Sequence, residues 1–293
     1  MKDAARLLAY AAATLILAAL LAPVLFWTAQ WLAGRGVFAF MADYEFDRVF
    51  RRSVLIVALL LFWPLFRWLR IAGWRDLGLV RNPNRLRDVA AGFLIAAVPL
   101  LVFAVGLVVF RIYSVRESIS AGELASRTLS AVVVPFLEEP LFRGLLLGVL
   151  LRRSSATLAI FFTSAVFSIL HFLKSPEQSA VVVTWSSGFN SLANSFSQFR
   201  EPILVLAGFT TLFLLGWILA DAKIRTRSLW LPIGLHAGWI FASAIFNKVA
   251  RREFDALPWL GRSLLIGIAP LCVGLLSWAV VRLWLRHVQT AKH

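Results

Sequence analysis

The sequence predicts an all-α fold, a multipass helical membrane protein of about eight transmembrane helices. Three observations carry that expectation. Of the 293 residues 60% are hydrophobic, with 24 Phe and 12 Trp, and the mean hydropathy is +0.80; a soluble domain of this length is nearer half apolar. The apolar residues fall into stretches close to the roughly 20 residues that cross a hydrocarbon layer. Basic residues cluster between those stretches rather than within them.

Taken in order, the expected spans are 7–32, 53–71, 89–110, 129–151, 155–173, 202–220, 229–246 and 263–285. The first follows Lys2 and Arg6 in the manner of a signal peptide. Its apolar run is too long for one, and no clear small-x-small site precedes polar sequence, so it is read as an uncleaved helix. Arg67 and Arg70 stand at the end of the second span, Arg75, Arg81, Arg85 and Arg87 follow it, and Arg152 and Arg153 link the fourth to the fifth. Lys223, Arg225 and Arg227 precede the seventh, and Arg282, Arg286 and Lys292 close the chain. All fall on one side if the N-terminus is cytoplasmic, which predicts an integral membrane protein with both termini inside; the expected membrane is a bacterial inner membrane. The opposite links mix signs, as in Asp43, Glu45, Asp47 and Arg48. In the longest link, 174–201, Trp185, Phe189, Leu192, Ala193, Phe196 and Phe199 recur at helical spacing against Asn190, Asn194 and Gln198. That pattern predicts an amphipathic helix in the interface, serving either as a surface anchor or as a lid for a substrate.

The formal charge of +15 would suggest nucleic acid in a soluble chain. Without a Gly-rich phosphate loop, zinc-finger spacing or an aromatic–basic RNA signature, nucleic-acid binding is rejected, and the lipid bilayer is the expected partner of the basic loops. Cys272 is the single cysteine; it can form no intrachain disulfide and is read as a small core residue. No internal repeat and no long polar linker divides the chain.

One stretch breaks the apolar pattern. "FLEEPLFRG", residues 136–144, places Glu138, Glu139 and Arg143 inside the fourth span, where a charge costs about 2.5–3.5 kcal/mol on insertion scales. Glu139 and Arg143 are four apart and share a helix face, so they can pair. Glu138 points about 100° away, and the sequence offers it no counter-ion on its own helix. Pro135 and Pro140 free backbone carbonyls there and predict a bend. His171 ends "FSILH" in the fifth span and His236 lies in "PIGLHAGW" of the seventh, while His287 and His293 are in the tail. Both internal histidines stand among small residues that permit close helix approach.

For a lone Glu–Arg pair an interhelical polar clamp is the simpler reading. Two carboxylates and two imidazoles from three spans can instead activate water. Either a Glu deprotonates a water that attacks a peptide carbonyl, with a His and another donor assisting, or His171, His236 and a Glu hold Zn²⁺. No HExxH helix is present and the histidines lie on different helices, so no cofactor is expected and zinc is the weaker alternative.

"EEPLFRG", then "FSILH", then "LWLPIGLHAGW" resembles the CAAX protease and bacteriocin-processing family, also called Abi-type, whose members are intramembrane glutamic endopeptidases. The motifs occur in order over about 129–246. The resemblance implies a catalytic core at 129–246, flanked by N-terminal helices over 1–128 and a C-terminal helix with a basic tail over 247–293. It implies Glu138 as the water-activating base, Glu139 as its support, and Arg143 fixing the carboxylate geometry. His171 would position the water or protonate the leaving amine, and His236 would stand near the oxyanion. Many members carry Asn four residues after the third-motif His; here that position is Ile240. Trp239, Ser243 and Asn247 are the nearby candidate donors, none a simple replacement. The expected activity is cleavage of a membrane-anchored peptide or protein, CAAX prenyl endopeptidase-like. The alternative is a non-proteolytic immunity or scaffold protein of the same fold. A proton-coupled transporter is disfavoured by the lack of a repeated half.

Overall fold

The computed structural model describes residues 2–80, 82–172, 182–253, 259–260 and 264–290. Arg81, Lys292 and His293, with the ends of two expected spans at 173 and 263, lie outside the described residues. Every expected span is met by a helix, and the molecule is an all-α multipass membrane protein. Among the described residues five helices are long and apolar enough to cross a membrane. The chain forms two compact units, Met1–Gly73 with His171–Glu201, and Trp74–Leu170 with Pro202–His293.

In the first unit α1 (Lys2–Ala33) packs on α2 (Phe46–Trp68). Small residues of α1 let a neighbour approach: Ala18, Ala19 and Ala22 are fully buried. The short α7 (Ser187–Asn194) lies against them, so close that a Cβ on Gly188 would come within 1.9 Å of the Ala19 carbonyl oxygen. The expected amphipathic helix over 174–201 is therefore shorter than its pattern, and a 3₁₀ turn at Ser197–Arg200 follows it. Its buried face is polar and small, with Ser187, Gly188 and Ser191 inside, and the Ser191 hydroxyl donates to Asp47 Oδ1 at 2.6 Å. Trp185, Phe189, Phe196 and Phe199 are exposed. Aromatic rings outward and hydroxyls inward is the arrangement an interfacial helix takes when lipid is the better apolar solvent.

The second unit is built on α3 (Arg85–Val109) and α9 (Trp230–Val249). These two helices pack more extensively than any other pair. Gly234 and Gly238 form a G-x-x-x-G stripe on α9, and such stripes let backbones touch in membranes. Added Cβ atoms would stand 2.2 Å from the Val89 carbonyl oxygen and 2.4 Å from that of Phe93. On the flanks lie α6 (Ala156–His171), α8 (Pro202–Thr226) and α10 (Ile268–Thr290). Asp221 of α8 accepts from Arg225 Nε and from Arg282 Nε of α10, each at 2.9 Å. Cys272 is exposed on α10, a correction to its expected core position; next to lipid an apolar helix need not turn its small residues inward. A two-stranded antiparallel ribbon, β1 (Tyr113–Val115) with β2 (Ala250–Arg252), pairs Tyr113 with Arg252 and Val115 with Ala250.

The fourth expected span is a composite. It begins eight residues earlier than hydropathy suggests, as α4 (Ala121–Glu139), and the Ser120 hydroxyl accepts from the Glu123 amide at 3.4 Å. Ser120-x-x-Glu123 is a capping-box spacing, a sequence signal for this start that a hydropathy window does not register. The helix then widens into a π segment at Pro140–Leu146 and resumes as α5 (Leu147–Leu151). Pro140, which has no N–H to close an α turn, opens the widened segment.

Candidate active site

The widened turn sets the geometry of the charged cluster. Arg143 lies within the π segment and Glu139 one residue before it. Arg143 Nη1 donates to Glu139 Oε1 at 2.9 Å, and both side chains are fully buried. The guanidinium stands 4.2 Å from the ring centroid of Phe167 of α6 and 5.6 Å from that of Phe142. Its Nη2 reaches the Gly216 carbonyl of α8 at 3.5 Å. Two aromatic faces, a carboxylate and a carbonyl thus replace water around the cation. Arg suits this place because its planar charge stacks and forks at once.

His236 comes from α9, and its direction follows from the glycine stripe. Gly234 and Gly238 face α3, so a residue two positions after Gly234 points about 200° round the helix, towards α4. There His236 Nδ1 meets Glu139 Oε1 at 2.8 Å, and Nε2 stands 3.9 Å from Glu138 Oε2. The Phe167 ring crosses the imidazole edge-on at 5.8 Å between centroids. A carboxylate at Glu139 can only accept, and opposite it His236 Nδ1 carries the hydrogen between them. The other ring nitrogen then faces Glu138.

The structure therefore brings four of the five expected site residues together: Glu138, Glu139, Arg143 and His236. It places Glu139 with Arg143 as their spacing foretold. It differs over Glu138, expected to lack a counter-ion: it faces His236 across the helix pair. Glu138 is also the open end of the chain of groups: its side chain is 30% exposed, against 0% for Glu139. His171 is the last residue of α6, at the point where the chain passes from the second unit to the first. Ile240 is half-buried one turn beyond His236. Of the neighbouring donors the Ser243 hydroxyl is bonded to the Trp239 carbonyl at 2.8 Å, Trp239 is packed in the core, and Asn247 is exposed. Sequence reasoning gave no role to Phe167, although it opens the "FSILH" stretch, or to Gly216; their contacts to Arg143 depend on how α6 and α8 pack.

A multipass membrane protein with two carboxylates, an imidazole and a guanidinium joined inside one helical unit has the parts of a hydrolytic site. Residues 120–242 match the family model of the Rce1-like type II CAAX prenyl endopeptidases, a little less than half of the chain. The match spans α4 to α9 and includes every residue of the cluster. At family level it supports a CAAX-protease-like intramembrane peptidase. No curated protein and no solved structure matches the chain.

Proposed function

We propose that this protein is an intramembrane endopeptidase in which Glu138 activates water to hydrolyse a peptide bond of a membrane-anchored protein or peptide. The observation that carries the reading is the placement of His236 between two carboxylates of unequal exposure. The buried one, Glu139, orients the ring; the accessible one, Glu138, lies across from Nε2. This is the base–orienter geometry of acid–base sites.

In the proposed reaction Glu138 takes a proton from a water whose oxygen attacks the scissile carbonyl carbon. His236 Nε2, which carries no hydrogen while Nδ1 does, lies on the Glu138 side and steadies the water by accepting from it. The tetrahedral species collapses with cleavage of the C–N bond, and the proton held by Glu138 or delivered by His171 passes to the leaving amine. Glu139 and Arg143 touch no reacting atom: they hold the imidazole in one tautomer and orientation, the usual task of a supporting carboxylate. His171 takes its part from the family resemblance. A prenylated CAAX protein, after which the matched family is named, is one candidate substrate class.

The test is cleavage of membrane-anchored peptides, some prenylated, by the purified protein with and without a chelator. Glu138→Gln is expected to abolish chelator-resistant cleavage while the protein stays folded, and His236→Ala and His171→Ala to lower it severely. Cleavage surviving Glu138→Gln would remove that residue as base, and chelator-sensitive cleavage would move the chemistry to metal. Ile240 favours a second reading, a non-proteolytic immunity or scaffold protein, in which the Glu138 and His236 substitutions would leave function intact.

A further inference from the structure

Outside the site a charged cavity lies beside the β-ribbon. It measures about 480 Å³ and is lined by Ser114, Val115, Arg116, Glu117, Ser118 and Arg251, within the size range of small-ligand sites. Two guanidiniums come to it from distant parts of the sequence and are brought together by the pairing of Ser114 with Arg251. Arg116 is anchored by its backbone amide, which donates to the Val249 carbonyl at 2.8 Å, and by Nε, which reaches the Ala250 carbonyl at 3.4 Å. Arg251 stays 67% exposed and meets Glu253 at 3.5 Å, long for an ion pair. Glu253 also accepts from the Ser114 hydroxyl, so its charge is shared between two donors. Glu117 is the one carboxylate lining the cavity.

The chain that leads from α3 into the ribbon and on from it carries exposed apolar side chains. Val109 and Phe110, at the end of α3, are more than two-thirds exposed, and Val115 and Ile119 are exposed beside them. Polar walls carrying two guanidiniums, one of them anchored at Nε, next to side chains suited to hydrocarbon, match an amphiphile with an anionic head. Guanidinium binds phosphate oxygens bidentately, and a lipid places such a phosphate at the depth where a spanning helix ends.

From this juxtaposition we infer that the ribbon cavity binds the phosphate headgroup of an anionic phospholipid, with Arg116 and Arg251 as the phosphate ligands and with Val109 and Phe110 against the acyl chains. The inference is independent of the proteolytic reading, because none of its residues belongs to the Glu138–His236 cluster.

Native mass spectrometry of the full chain released from phosphatidylglycerol or phosphatidylcholine nanodiscs tests it. The wild type is expected to retain one phosphatidylglycerol and to discriminate against phosphatidylcholine. Arg251→Ala, a change at an exposed side chain that the fold tolerates, should weaken retention about tenfold, the size of one lost charged hydrogen bond. Arg116→Lys, which keeps the charge without the fork, should weaken it less. Arg35→Ala, an equal charge change in the other unit, should leave it unchanged. Equal loss in Arg35→Ala would reduce the effect to general surface charge and overturn the site. Unchanged retention in Arg251→Ala would overturn it too. Displacement of the lipid by millimolar inorganic phosphate would overturn the lipid assignment in favour of a soluble phosphate ligand.

Discussion

Arg143 and Glu138 lie five residues apart and have opposite physical roles, which mutation separates. Removing one partner of a fully buried ion pair costs about 3–5 kcal/mol, since the other charge is left without compensation. Arg143→Leu is therefore expected to lower thermal stability in detergent strongly and to take activity with it. Glu138→Gln keeps the volume of a partly exposed side chain and is expected to leave the melting temperature within a few degrees of wild type. A stable Arg143→Leu protein would mean that Glu139 becomes neutral at little cost. Ile240 makes a third case. It sits one turn beyond His236, where an amide could reach the reacting carbonyl, and losing one oxyanion donor typically costs about 10²–10³ in rate. Ile240→Asn is accordingly expected to raise kcat by about 10–100-fold on a cleavable peptide. No change in kcat would place the oxyanion donor elsewhere, on the backbone.

Two elements hold the cluster in register. The π segment after Pro140 changes the direction in which residues beyond Glu139 leave the helix, and Arg143 emerges between Phe142 and Phe167. On the facing helix the register comes from contact between backbones: with Gly234 and Gly238 pressed on α3, rotation of α9 is blocked and His236 has one direction open to it. Gly238→Val would push its side chain into the Phe93 carbonyl, now 2.4 Å from a bare Cβ. The helices must then part or turn, and the His236–Glu139 bond is expected to break. Activity should fall by at least tenfold, the order of a small displacement in a positioned site, with a lower melting temperature. Retained activity would show that α3 and α9 can separate without moving the imidazole.

At the scale of the molecule, three long-range contacts constrain the path through the membrane. The β1–β2 pairing, the Leu229 amide on the Gly78 carbonyl at 2.9 Å, and the Ser191–Asp47 bond each join links separated by four expected spans. An even number of crossings returns the chain to the same side, so all three agree with the eight-span path. On the distribution of Lys and Arg both termini are expected on the cytoplasmic side. In a Cys272→Ser background, Arg35→Cys is expected to react with a membrane-impermeant maleimide in intact cells, and Arg152→Cys only after lysis. The opposite pattern would invert the orientation.

Composition and hydropathy determined the fold class by themselves, because a bilayer leaves few structures open to a chain this apolar. Local spacing determined the Glu139–Arg143 pair for the same kind of reason: four residues on one helix close the distance whatever surrounds it. The motif order over 129–246 was enough to suggest the family that the match over 120–242 supports. What tertiary structure decided were the relations between helices. Sequence could not tell that His236 would stand between Glu139 and Glu138, since that depends on which face of α9 the glycines give to α3. Nor could it tell that the aromatic residues around α7 would face outward, because periodicity marks two faces without saying which one meets lipid. The early start of α4 was written in Ser120 and Glu123, but a cap is a hydrogen bond and leaves no trace in a hydropathy window. Contacts within a few residues were legible in this chain; those across helices had to wait for the packing that makes them.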